Sequence, residues 1–186
     1  MCPIPANLYS LTYIPHTRPG FSWYDLRYPI DTDRYGTARA SPSFVAYLLI
    51  TEAIGSSGRS QLSLIDIPDQ PQLAAYAIWD PAARRDGIAR LALLNLAVRN
   101  VSTSVADAAA LAATVDISPY VRNTKGKGIA SLKRMTSPGL DSKDVGSVLW
   151  AGQSYENGTA SGSEMIEKVT NGTVTIQGSE GILIFF

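Results

Sequence analysis

The sequence predicts a mainly β fold, an antiparallel β-sandwich preceded by one helix, and three observations carry that expectation. Thr173-Val174-Thr175-Ile176-Gln177 alternates polar and apolar side chains, the period of two that a strand with one buried face requires. Gly181-Ile182-Leu183-Ile184-Phe185-Phe186 carries no polar side chain, as a strand buried on both faces does. Short apolar runs recur through the rest of the chain, bounded by Pro, Asp, Asn or Gly. With 186 residues, 45% of them hydrophobic, there is apolar material for one domain, or for one domain and a piece of another.

Taken in order, residues 1–39 are rich in Pro, Tyr and Arg and contain the turn cluster Pro15-His16-Thr17-Arg18-Pro19-Gly20, which reads as loop. Ser41-Pro42 has the form of an N-cap followed by a first-turn proline, and Gly55 is a C-terminal stop, so the spacing predicts a helix over 42–54. From Phe44 to Ile50 every residue is apolar or aromatic, and a helix apolar all round needs cover on all sides. Left uncovered, it would favour self-association through helix 42–54. Gly55-Ser56-Ser57-Gly58-Arg59-Ser60 reads as a flexible joint, dividing the chain into 1–59 and 60–186.

Beyond the joint, Leu62–Ile67, Leu73–Trp79 and Ile88–Val98 read as antiparallel strands with turns at Asp80-Pro81 and Asp86-Gly87. Ala106–Ala113 is alanine-rich, but its flanking turn residues and the β-branched Thr114-Val115-Asp116-Ile117 favour a strand. Asn123–Gly128 is a loop, Ile129–Thr136 and Ser147–Ala151 are strands, and Met165–Val169 forms a hairpin with Thr173–Gln177 through Asn171-Gly172.

Sixteen basic and sixteen acidic residues give a formal net charge of zero, so no global field draws nucleic acid or an anionic membrane. One cysteine, Cys2, excludes an internal disulfide; one histidine, His16, excludes a multi-histidine metal site, and no cofactor is implied. No apolar run is long enough to cross a bilayer, and the first residues lack the basic start and apolar stretch of a secretory signal. Three sequons, at Asn100, Asn157 and Asn171, would accept N-glycans in a secreted protein, although Asn-Gly is also ordinary turn chemistry.

Few residues offer chemistry. Trp79 and Trp150 could stack on a pyranose face, but both lie in apolar runs where a core role is the stronger reading. Arg84-Arg85 and Lys125/Lys127 read as solvated turns, and Asp31 and Asp33, beside Arg27 and Arg34, as an ion-paired loop.

Three segments in order, Lys133-Arg134-Met135-Thr136-Ser137-Pro138-Gly139, Trp150-Ala151-Gly152-Gln153-Ser154-Tyr155-Glu156-Asn157-Gly158 and Asn171-Gly172-Thr173-Val174, resemble the C-terminal β-domain of fungal glycoside hydrolase family 79 proteins, a family of β-glucuronidases and heparanases. The resemblance implies a (β/α)8 barrel, of about 250 residues, beside the β-domain. It also implies two catalytic glutamates acting with retention, which requires carboxyls about 5 to 5.5 Å apart. Residues 1–59 then correspond to the barrel's last loop and helix, and the segments bearing both glutamates have no counterpart in these 186 residues. Glu52, inside the helix, is no substitute and reads as a solvated helix residue. By the same resemblance His16 and Tyr24 lie in a loop that helps bind the uronic acid, the partner is a uronic-acid-containing glycan, and the family is secreted. The expected function is an accessory β-domain of a β-glucuronidase-like hydrolase, catalytically empty alone; the alternative is a carbohydrate-binding module, which exposed coplanar aromatics would mark.

Overall fold

The computed structural model describes residues 40, 42–121, 130–142, 144 and 146–186. Among the described residues the first element is α1 (Pro42–Ile54), which has the predicted bounds. Gly55 ends it at φ +70°, a left-handed conformation that L side chains rarely adopt, and its N–H donates to the Thr51 carbonyl at 2.9 Å. The strands β1 (Gln61–Ile65), β2 (Leu73–Trp79) and β3 (Arg90–Asn95) follow, each within or close to its predicted run.

Next comes a departure from expectation. Val105–Ala110 is a short helix, α2, and the strand β4 begins only at Ala113 and runs to Asp116. The reason is a serine N-cap: the Ser104 hydroxyl accepts from the Asp107 N–H at 3.1 Å and donates to the Asp107 carboxylate at 2.7 Å, so the alanines' helix propensity prevails.

The remaining strands are β5 (Ala130–Thr136), β6 (Leu149–Trp150), β7 (Gln153–Ser154), β8 (Glu167–Val169), β9 (Thr173–Ile176) and β10 (Gly181–Phe185). All pairings are antiparallel. The large sheet has the order β1-β2-β3-β10-β5-β6-β7, and β8 shares the outer edge of β5 with β6. A second sheet pairs β4 with β9.

The hairpin expected across Asn171-Gly172 is therefore absent. Met165–Val169 contributes β8 to the large sheet, and Thr173–Ile176 crosses to the small one as β9. Only Gly172 has positive φ, +76°, whereas a type I′ hairpin turn needs positive φ at both central residues.

Side-chain alternation sorts the core into two layers. Toward the small sheet lie Leu91, Leu93, Leu132, Ile182 and Ile184, packed on Val115, Val174 and Ile176. Toward α1 lie Ile78, Ala92, Trp150 and Leu183, packed on Val45, Leu49 and Ala53. Strand β10, paired with β3 and β5, faces both layers, which is why its sequence is apolar throughout. The α1 residues that reach the sheet are spaced by four, one stripe of the helix. Ile50 and Ile54, off that stripe, are 45% and 48% exposed.

Candidate functional site

Polar groups collect on the α1 side of the large sheet. Strand alternation turns Lys133 toward α1, and the helix presents Glu52 to it. The Lys133 ammonium contacts Glu52 Oε1 at 2.8 Å and Glu164 Oε1 at 2.7 Å, with the Phe185 ring 6.0 Å below. Burial acts to lower the Lys133 pKa, but the hydrogen bonds its ammonium donates to Glu164 and Glu52 outweigh it and hold the pKa above its ordinary 10.5. Tyr155 stands beside this cluster, its hydroxyl donating to Gln153 Oε1 at 3.1 Å and its ring tilted against Phe44 at 6.2 Å. Burial first, then the nearby Glu52 carboxylate, raises the Tyr155 pKa.

This arrangement binds elements together. One ammonium bridges the two carboxylates and offsets one of their two charges, so both glutamates are held as ion-pair partners of Lys133. Glu52, expected as a solvated helix residue, instead fastens α1 to β5. Two arginines tie elements in the same way. Asp80, 2% exposed, bonds Arg90 at 3.1 Å, and Arg90 reaches the Ala53 carbonyl at the end of α1. A hydrogen bond from Ser57, and then that from Arg90, holds the Asp80 carboxyl below its ordinary 3.8. A Cβ on Gly55 would come within 2.9 Å of the Arg90 guanidinium. On the opposite layer Arg134 grips Glu167 through two bonds of 2.6 and 3.1 Å, and also meets the buried Glu180 and the Thr175 carbonyl of β9.

His16 and Tyr24 lie outside the described residues, as do Asp31, Asp33, Lys125 and Lys127. Trp150 is buried in the α1 layer and Trp79 is half-buried; none of the described aromatic side chains is exposed as a stacking platform would be. Arg84, expected as solvated, donates to the Ile88 carbonyl at 2.9 Å and lies 5.9 Å from the Phe186 ring centre, while Arg85 is exposed. Asn100, Asn157 and Asn171 are all exposed. Among the described residues no helix is long and apolar enough to cross a membrane.

No curated protein matches this chain. Among solved structures the chain is matched to the 4-O-α-L-rhamnosyl-β-D-glucuronidase of Fusarium oxysporum 12S in complex with Rha-GlcA, at 25% identity and a TM-score of 0.48. That likeness covers 67% of this chain and 26% of the Fusarium chain, so the present sequence spans about a quarter of that enzyme's length. Residues 75–183, more than half of the sequence, match the glycosyl hydrolase family 79 C-terminal beta domain, and the chain belongs to that family.

Proposed function

We propose that residues 60–186 are the accessory β-domain of a β-glucuronidase-like glycoside hydrolase, giving structural support to a retaining (β/α)8 catalytic domain, with α1 as the element both share. The observation that carries this reading is the division of α1. Its Val45, Leu49 and Ala53 stripe is buried in the β-domain, while Ile50 and Ile54 remain about half exposed. A large apolar side chain left in water forgoes about 1.5–3 kcal/mol of burial, so this face gains from a second cover. The ionic contacts of Glu52 with Lys133, and of Arg90 with the end of α1, fix the helix to the β-domain and would pass a load between the two. In this reading the glycan, and its uronic acid, belong to the catalytic domain, and His16 and Tyr24 contribute to that site from the loop before α1.

The test is a domain exchange. Residues 42–186 replace the matching segment of a complete family 79 β-glucuronidase, and hydrolysis of an aryl β-glucuronide is followed. The exchanged enzyme is expected to be soluble and active, and Ile50→Asp with Ile54→Asp is expected to abolish assembly while residues 60–186 keep their circular dichroism. The 186-residue chain alone is expected to release no aglycone above buffer. Activity unaffected by the two aspartates would refute the role given to α1.

A further inference from the structure

We propose that the free edge of β1 is an interface between two copies of this chain, joined antiparallel about a two-fold axis at Ser63 into one continuous sheet. Strand β1 stands at the end of the large sheet; β2 takes one of its edges, and among the described residues no strand pairs with the other. Protein sheets commonly blunt such an edge with a lysine, a proline or a bulge. Gln61-Leu62-Ser63-Leu64-Ile65 has no charge and no proline, and its register with β2 runs unbroken from Gln61–Trp79 to Ile65–Ala75. The strand is also fixed where it begins, because the Ser60 hydroxyl donates to the Ile54 carbonyl at the end of α1.

Leu62 and Leu64 are 56% and 67% exposed. Their partners across β2 are Ile78 and Tyr76, which places both leucines on the α1 side of the sheet. A two-fold axis perpendicular to a sheet keeps each face on its own side, so it must oppose residues of the same parity. Centred on Ser63, it sets Leu62 against Leu64 of the second copy and Leu64 against its Leu62, four leucines covering one another. Centred on Leu62 it would oppose Leu64 with Ser60, and centred on Leu64 it would oppose Leu62 with the carboxylate of Asp66.

Charge agrees with the same register. Beyond the strand ends the same register brings the segment carrying the exposed Arg59 near the segment of the second copy carrying the exposed Asp66 and Asp69, opposite charges at each end of the joined strands. None of these three side chains has an ion-pair partner among the described residues. The interface leaves the outer face of α1 free, so it stands or falls independently of the accessory-domain reading.

The experiment uses the full chain with Cys2→Ser. Sedimentation at high micromolar concentration is expected to give twice the monomer mass of 19.9 kDa, and Leu64→Lys to return it to the monomer, with a thermal midpoint equal to that of the parent chain at dilutions where both are monomeric. Position 63 faces its own copy, so Cys2→Ser/Ser63→Cys is expected to oxidise to a covalent dimer, since antiparallel partners fall within the Cα separation of about 4.4–6.8 Å that a disulfide spans. Cys2→Ser/Gln61→Cys is expected to stay monomeric on denaturing gels. Arg59→Asp should weaken the dimer several-fold and added Asp66→Arg should restore it. A chain that remains monomeric at every concentration overturns the proposal. So does a dimer that survives Leu64→Lys but is dissolved by Ile50→Asp. The cysteine pair reports register directly, so the test holds even if the lysine variant folds poorly.

Discussion

The layer between the two sheets and the layer beneath α1 both bury apolar side chains, but they are closed differently. Between the sheets, Leu91, Leu93, Ile117, Ile176, Ile182 and Ile184 are fully buried, and the cover is β structure hydrogen-bonded within itself. Beneath α1 the cover is one helix of 13 residues that contributes a single stripe and leaves its remaining faces partly or wholly exposed. Helices this short are marginal when isolated in water, so α1 depends on the sheet more than the sheet depends on α1. The lesson is that the β-domain can stand by its sandwich layer, while the α1 layer is the side suited to joining something else.

Deleting a side chain on each side sharpens that contrast. Ile184→Ala, at the centre of the sandwich layer, is expected to cost about 2–5 kcal/mol in a denaturant titration, because rigid sheets on both sides cannot collapse into the cavity. Leu49→Ala is expected at the lower end of that range, since α1 can settle toward the gap. Equal losses would break the comparison.

Asn95, 2% exposed, is the next largest. Its amide donates to the Leu111 carbonyl at 2.8 Å and the Ile176 carbonyl at 3.1 Å, and its Oδ1 accepts from the Ala97 N–H, so one side chain joins β3, the end of α2 and β9. Asn95→Ala is expected to cost about 1–3 kcal/mol through the buried groups left unpaired. Hydrogen exchange should then rise in β4 and β9 and not in α1.

Limited proteolysis separates the layers without mutation. Cleavage is expected first before Ser60, leaving a resistant fragment that begins near it. Protection of 42–59 equal to that of the sandwich, in a monodisperse monomer, would mean that α1 has full cover within this chain. At alkaline pH the α1 layer should also loosen first. Lys133 has a folded pKa above 10.5, so its stabilisation is complete below the unfolded value and is lost as pH rises through the folded one. Lys133→Met should remove that alkaline step at a cost of about 0–1 kcal/mol, its glutamate partners being 36% and 47% exposed. Smallest of all, Ser104→Ala should cost about 0.5–1 kcal/mol by uncapping α2, an exposed helix remote from α1.

Much of this fold was legible in local sequence pattern. The bounds of α1 and β2, and the doubly buried β10, follow from alternation, a first-turn proline, and glycine or aspartate stops. The family was legible too, from the order of the segments around Lys133, Trp150 and Asn171. What escaped was long-range. Nothing near Asn171-Gly172 says that β8 and β9 enter different sheets; that depends on β5 and β4, each already placed to offer an edge. Ser104 and Asp107 carry a local capping signal, but the β-branched run that follows, Thr114 to Ile117, points the other way. Local sequence gives Glu52 only a solvated role, because its partner, Lys133, lies 81 residues away. His16 and Tyr24, the substrate-binding expectation, fall where no geometry is described.

The central place of β10 has a further consequence, for how the protein is made. Leu183 sits opposite Ala92, so β3 must wait about ninety residues of synthesis for its neighbour. During that interval a nascent chain carries Leu91, Leu93 and Leu94 on an open edge as it leaves the ribosome. Pairings this distant in sequence form slowly, because the loop must be closed before any contact rewards it. Translation that stops short of Gly181 would leave both halves of the sheet without the strand that joins them, and such products are natural clients for chaperones that hold exposed β edges.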